Sequence, residues 1–529
     1  MLISPPFGGG RAPVLAKNTV ASSQPLATQA GIEALQSGGN AVDAALATAI
    51  TLTVVEPTMN GLGGDGFAIL WDGKQIHGLN ASGRAPAAWT PEYFDGKTAM
   101  DLIGWNTVTV PGMVSGWVEL SKKFGKLPFA QLFKRAIDYA ENGFPVSPVI
   151  ARQWREAIPI LKNQPGFAES FLIDGKAPQA GQIWRFPAQA KTLQEIAATQ
   201  GESFYKGALA QSMVDFAQSS GGCFTMRDFA DNKPDWVEPL AFDYGDYTLL
   251  EIPPNGSGIA AQMALGILQA ANVKQYPANS AQRIHLQIEA MRLAFADAYA
   301  YVSDSRSMSI PVTNLLNRDY LASRAALIDH HKAGSYSAGD PHCGGTVYLC
   351  AADESGMMIS YIQSNFKGFG SGVVAPGGIA FHNRGMSFSL QDGHPNQVSP
   401  GKRPFHTILP AFLTKNGKPA MAFGVMGGNM QPQGHIQFVM RFVDEYLNPQ
   451  ACSDAPRWRI DDLGKLTVEA SMPTSVVEGL RAMGHEVAVQ PANSLDFGSA
   501  QAIAKLSDED QSAYIAGSDH RRDGLAAGF

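Results

Sequence analysis

An α+β chain, with helices and strands packed around a shared core, is what three features of this sequence predict. Helical periodicity dominates the first two-thirds. Apolar, partly β-branched runs take over after Asp340. Finally, 529 residues with 45% hydrophobic and 16% charged side chains describe a compact protein, large enough to build a core easily and too apolar for disorder.

Taken in order, residues 28–36 read as a helix that stops at Gly38-Gly39, where glycine suits a helix end. Asn40 then caps a helix that starts at Ala41 and closes before Pro57. Further helices are predicted over 128–141, 187–199, 207–219, 257–271 and 281–301, with strands over 66–71 and 247–252. Beyond Asp340, the runs 346–352 and 357–364 form a hairpin across the turn Asp353-Glu354-Ser355-Gly356. Strands over 408–414, 421–425 and 465–469 and a helix over 432–446 complete the reading.

Several functions are excluded early. A net charge of −7, with no basic run, gives nucleic acid nothing to hold. Cys223, Cys343, Cys350 and Cys452 include no CxxC pair and read as buried free thiols. His382, His394 and His406 lack short ligand spacing, so no metal is expected. The apolar run 41–55 contains Asp43 and is too short to span a bilayer, which makes it a buried helix and excludes a membrane partner. The first residues carry no basic start and apolar core of an export signal, and the expected compartment is the cytoplasm. The glycine cluster Gly61 to Gly66 lacks the lysine of a phosphate loop and does not read as a nucleotide site.

The segment from Gly344 to Gly372, GGTVYLCAADESGMMISYIQSNFKGFGSG, carries the chemistry. With EPTMNGLGGDGF, VPGMVSGW, PPNGSG, GKRPFHTILP, GVMGGNMQPQGH and SDHRRDGLAAG in order around it, the chain resembles the γ-glutamyltransferase family over nearly its whole length. The resemblance implies a four-layer αββα N-terminal-nucleophile hydrolase sandwich. It implies a proenzyme that cuts itself between Gly345 and Thr346, giving a large chain, 1–345, and a small chain, 346–529, that stay associated; a dimer of such two-chain units is also allowed. It further assigns the oxyanion donors to the amides of Gly427 and Gly428, an assisting hydroxyl to Ser364, and an active-site wall to the Gly61–Gly66 loop.

Elementary chemistry agrees with that reading. A threonine hydroxyl needs a base, and once Thr346 opens a chain its α-amino group, with an ordinary pKa of about 7.7–8.0, lies within reach. Glycines at 344 and 345 tolerate the strain of cleavage, and glycines at 427 and 428 let backbone amides approach a substrate. No cofactor is required.

The departures from the family concern the substrate. Ser82 stands where the family has the arginine for the α-carboxylate, with Arg84 two places later. Ser387 replaces the acid that meets the α-amino group, Arg384 replaces its neighbouring amide or acid, His406-Thr407 replace a serine pair, and Phe366 replaces an asparagine. An anion has gone and a cation has arrived. The expected substrate is therefore a small amide with a carboxylate and no α-amino group, held by Arg384 or Arg84 together with Ser387, His406 and Thr407. Within the family's γ-glutamyltransferase-like branch the chain resembles the oxamate amidohydrolases of purine catabolism, which implies hydrolysis of oxamate to oxalate and ammonia. The rivals are γ-glutamyl or glutaryl amide hydrolysis, and a non-catalytic binding protein.

Overall fold

The computed structural model describes residues 11–334, 336, 345–461, 463–492, 494–507 and 513–529. Two seven-stranded sheets lie face to face, and every neighbouring pair within them is antiparallel. From edge to edge the first runs Leu525–Gly528, Thr19–Ser22, Gly345–Ala352, Met358–Phe366, Asp65–Trp71, Ile76–Ala81, Asp235–Val237. The second runs Val14–Ala16, Tyr514–Ser518, Ser499–Lys505, Lys418–Met426, Ala411–Lys415, Tyr247–Glu251, Leu240–Tyr244.

Alternation along each strand decides what it faces. In Gly345–Ala352, Tyr348, Cys350 and Ala352 enter the layer between the sheets, while Val347, Leu349 and Ala351 enter a helical layer. In Lys418–Met426, Ala422 and Met426 share the inter-sheet layer, while Met421, Phe423 and Val425 face a second helical layer. Both faces are covered, which is why these strands read as continuous apolar runs. Helices Pro25–Gln36, Ala41–Val55 and Met113–Phe124 belong to the first helical layer, and Ile259–Ala270, Ala281–Tyr301 and Met430–Asp444 to the second. The order helix, sheet, sheet, helix is the four-layer αββα sandwich.

Ala41–Val55 is buried at every residue, so its apolar character belongs to the core. The Asn40 side chain accepts the amides of Val42 and Asp43, the Asp43 carboxylate accepts that of Asn40, and Asp353 in the hairpin turn accepts that of Ala41 at 2.7 Å. Among the described residues no helix is long and apolar enough to cross a membrane.

Some boundaries differ from expectation. The helix predicted over 128–141 is a 3-10 turn, Phe129–Phe133, followed by a helix at Lys134–Asn142. The strand predicted from 408 begins at Ala411, because the Leu409 amide is drawn to the Gln431 side chain at 2.8 Å. The helix predicted over 432–446 starts two residues early, at Met430, and ends at Asp444. Cys350 and Cys452 are buried free thiols and Cys223 is a half-buried one, while Cys343 and Gly344 lie outside the described residues.

Thr19–Ser22 pairs on one side with Gly345–Ala352 and on the other with Leu525–Gly528. Residues before and after the Gly345–Thr346 bond are thus interleaved in one sheet. The inter-sheet layer is tight: a Cβ on Gly424 would lie 2.4 Å from Cε2 of the Tyr348 ring. Gly424→Ala is expected to overpack this layer and destabilise the protein by about 1–3 kcal/mol, read as a lower denaturation midpoint.

Candidate active site

Thr346 sits where two strands fall out of register. Gly345 pairs with Phe366 and Val347 with Gln363, so Ser364 and Asn365 both stand opposite Thr346. An irregularity of this kind re-aims side chains at a sheet's end. The Thr346 hydroxyl is fully buried; it donates to Ser364 Oγ at 3.3 Å and accepts from Gln431 Nε2 at 3.2 Å. Ser364 Oγ also accepts the Phe366 amide at 2.6 Å.

Gln431 is carried in by the turn that ends strand Lys418–Met426. Gly427 and Gly428 have φ of 133° and 61°, conformations that glycine adopts and other residues resist. Their carbonyls accept the amides of Met430 and Gln431 at 3.1 and 3.0 Å, which starts helix Met430–Asp444. The glycine pair therefore lies at the electropositive end of a fifteen-residue helix whose second residue touches the Thr346 hydroxyl.

Arg384 is the second focus. It is 1% exposed, and its guanidinium lies 3.8 Å from the centroid of the Phe366 ring. Nη1 donates to Thr407 Oγ at 3.0 Å, whereas Nε and Nη2 have no hydrogen-bond partner among the described residues. Burial pulls its pKa down to about 9, with the nearby negative charge of Asp65 acting the other way. Phe366, Ser387, Thr407 and Asn429 line a cavity of about 320 Å³ with Met100, Met386, Phe388 and Phe405.

Arg84 does not line this cavity. It pairs with Asp235 at 3.2 Å and Asp304 at 3.4 Å, and it borders a separate cleft with Asp228 and Gly401. Ser82 is also committed, donating to Asn80 Oδ1 at 2.7 Å and accepting from Asn255 at 3.3 Å. His406 faces inward rather than into the cavity, with its ring 4.7 Å from that of Phe67 and Nε2 3.1 Å from Asp65. Arg384 does not line the cavity either; of the two arginines it is the one that bonds a lining residue, Thr407, at 3.0 Å.

Sequence reasoning did not single out Asp65 or Gln431. Asp65 is 1% exposed; it accepts the amides of Gly83 and Gly112 at 2.9 and 3.1 Å and meets His406 at 3.1 Å and His382 at 3.7 Å. Burial raises its pKa to about 6 against the pull of Arg384. Its signal was an acid inside a glycine cluster followed by an apolar strand, where a charge must be internally satisfied. The Gly61–Gly66 loop packs against the segments of His382 and Ser364: Gly63 O accepts the His382 amide at 3.0 Å, and a Cβ on Gly64 would meet Ser364 O at 2.8 Å.

One group of three metal-capable side chains occurs among the described residues, His285, Glu289 and His485. It lies on other elements, and its members already bond His285 to His485 at 2.8 Å and Glu289 to the Gly334 amide at 2.8 Å.

Burial and the Arg384 charge hold His382 down at about 3 and His406 well below the ordinary histidine range. Unfolded histidines take up protons near 6.5 while these two do not, so stability is lost as pH falls from 6.5 toward 3. Asp65, with its raised folded value, opposes this only between about 6 and 3.8. His382→Gln is expected to show a smaller drop in melting temperature between pH 7.5 and pH 6 than the unaltered protein, measured by thermal denaturation at both pH values.

Comparison with known proteins accords with this geometry. A family model described as Gamma-glutamyltranspeptidase matches residues 27–529. The glutathione hydrolase-like YwrD proenzyme of Bacillus subtilis (strain 168) is 35% identical, over 97% of this chain and 98% of that one. The oxamate amidohydrolase proenzyme of Klebsiella pneumoniae subsp. pneumoniae is also 35% identical, over 95% of this chain and 97% of that one. The crystal structure of a cephalosporin acylase from Bacillus halodurans superposes with a TM-score of 0.93 at 44% identity, covering 99% of this chain and 98% of that one. The chain belongs to the gamma-glutamyltranspeptidase family of N-terminal-nucleophile hydrolases.

Proposed function

We propose that the protein is an autoprocessing amidohydrolase that uses Thr346 to hydrolyse a small amide bearing a carboxylate, with oxamate, cleaved to oxalate and ammonia, as the substrate. The observation that carries the substrate class is the unpartnered side of Arg384. Nε and Nη2 flank one edge of the guanidinium, and that edge takes a carboxylate through two parallel hydrogen bonds. A buried cation with two unused donors is costly to maintain, and a bound carboxylate removes the cost. No acid replaces the one that Ser387 displaced, which leaves an α-ammonium without a counter-charge on that segment.

Maturation begins when the Thr346 hydroxyl adds to the Gly345 carbonyl. The acyl group moves from nitrogen to oxygen, and water hydrolyses the resulting ester. Gly345 ends as a carboxylate and Thr346 as a free amine. In turnover Thr346 Oγ attacks the amide carbon while this amine accepts its proton. The amides of Gly427 and Gly428 receive the oxyanion, and collapse expels ammonia with the proton the amine held. Water, deprotonated by the same amine, then hydrolyses the acyl ester and releases the second carboxylate. Ser364 and Gln431 hold the nucleophile's hydroxyl in line throughout.

A second reading is hydrolysis of a longer carboxylated amide, such as a glutaryl amide. The cavity of about 320 Å³ favours it, because that volume lies in the range of small-molecule sites and exceeds what oxamate fills. The 44% identity to a cephalosporin acylase supports it as well.

The unaltered protein is expected to run as two fragments on a denaturing gel, and Thr346→Ala as one uncut chain. An intact wild-type chain after native incubation would end the proposal at its first step. Ammonia release from oxamate, from a glutaryl amide and from a γ-glutamyl anilide (read as aniline) ranks the substrates. Strong γ-glutamyl turnover with neither carboxylated amide cleaved would reject the substrate class. Arg384→Gln is expected to raise KM for the preferred carboxylated amide by about thirtyfold or more, the scale of a lost charge-assisted hydrogen bond.

A further inference from the structure

Phe366 adopts φ of 77°, in the left-handed region where a bulky side chain is out of place. Strain at such a position is kept only where the surroundings hold it. Here two contacts do so. The Phe366 amide donates to Ser364 Oγ at 2.6 Å, and its ring, 1% exposed, packs with Ala85, Trp89, Met386 and Phe388 beneath the Arg384 guanidinium. Ser364 in turn receives the Thr346 hydroxyl at 3.3 Å. A single residue, itself on the cavity wall, therefore touches both Ser364 beside Thr346 and the buried Arg384 cation.

We infer that Phe366 determines specificity, its ring serving as a platform that presents the Nε–Nη2 edge of Arg384 to a substrate carboxylate at a fixed place relative to Thr346. This rests on the reading of Arg384 as the carboxylate anchor. The ring does what a hydrogen-bonding partner would not. An acceptor beneath or beside the guanidinium would occupy donors, whereas an aromatic face attracts the cation and leaves its edge open. With Thr407 on Nη1 and the ring on one face, the unpartnered Nε–Nη2 edge is the part of Arg384 left to a ligand. An asparagine at this position has a polar side chain and no such face.

The test measures binding of oxalate and glutarate to the processed two-chain enzyme by calorimetry, in the unaltered protein, Phe366→Leu, Phe366→Tyr and Arg384→Gln. Two fragments on a denaturing gel check that each variant has folded and matured. Phe366→Leu keeps an apolar side chain and the amide but removes the aromatic face, and is expected to weaken the tighter of the two ligands about tenfold. Phe366→Tyr restores the face and is expected to bind within about threefold of the unaltered enzyme. Leucine binding as well as phenylalanine, or tyrosine failing to rescue, overturns the platform even if Arg384→Gln abolishes binding. Undiminished binding by Arg384→Gln, or no binding of either dicarboxylate by the unaltered enzyme, overturns the anchor itself and the platform with it. A variant that fails to mature is replaced by Phe366→Met, judged by the same comparison.

Discussion

Where strands Gly345–Ala352 and Met358–Phe366 lose register, two residues of one strand face Thr346 alone, and the site is arranged around that mismatch. In a regular ladder Thr346 would be one more alternating side chain, committed to a helical layer or to the inter-sheet layer. The irregularity frees its hydroxyl to meet Ser364 from the same sheet and Gln431 from the helix that follows strand Lys418–Met426 of the other. The second sheet is held opposite by side chains such as Tyr348, Ala422 and Met426, so packing of the sandwich sets the distance between Thr346 and the glycine turn. Changes far from Thr346 that shift one sheet against the other are therefore changes to the active site.

Charge is handled by the same economy of contacts. Arg384 is almost completely buried, yet only Thr407 takes a hydrogen bond from its guanidinium among the described residues. The Phe366 ring and the field of Asp65 offset part of the desolvation. Asp65 is in turn held by two backbone amides and by His406, and both neighbouring histidines stay neutral because burial and Arg384 oppose a further positive charge. The large-chain segment around Asp65 and the small-chain segments around His382 and His406 thus depend on one another across the expected cleavage site.

Periodicity and punctuation located several of the longest elements but passed over helices Met113–Phe124 and Pro148–Leu161. Helices Pro187–Thr199 and Ala281–Tyr301 coincide with their predicted bounds, and Asn40 caps the buried helix as its position implied. Short strands such as Thr19–Ser22 and Asp235–Val237 were missed, since a few residues carry too little pattern to stand apart from a loop. The strand predicted from residue 408 began late for a reason no pattern contains, the capture of the Leu409 amide by a side chain 22 positions away.

From the sequence alone came the proposal of Thr346 as nucleophile, of Gly427 and Gly428 as its partners and of a missing ammonium-binding acid, because these reside in residue identity at ordered positions. Arg84 and Arg384 were both candidates at that level, with the stronger case for Arg384. The tertiary structure distinguishes their surroundings, setting Asp235 and Asp304 against Arg84 and leaving Nε and Nη2 of the buried Arg384 without a hydrogen-bond partner among the described residues. A sequence states which charges exist. Whether a charge is neutralised depends on which distant segments fold against it, and that is decided by packing.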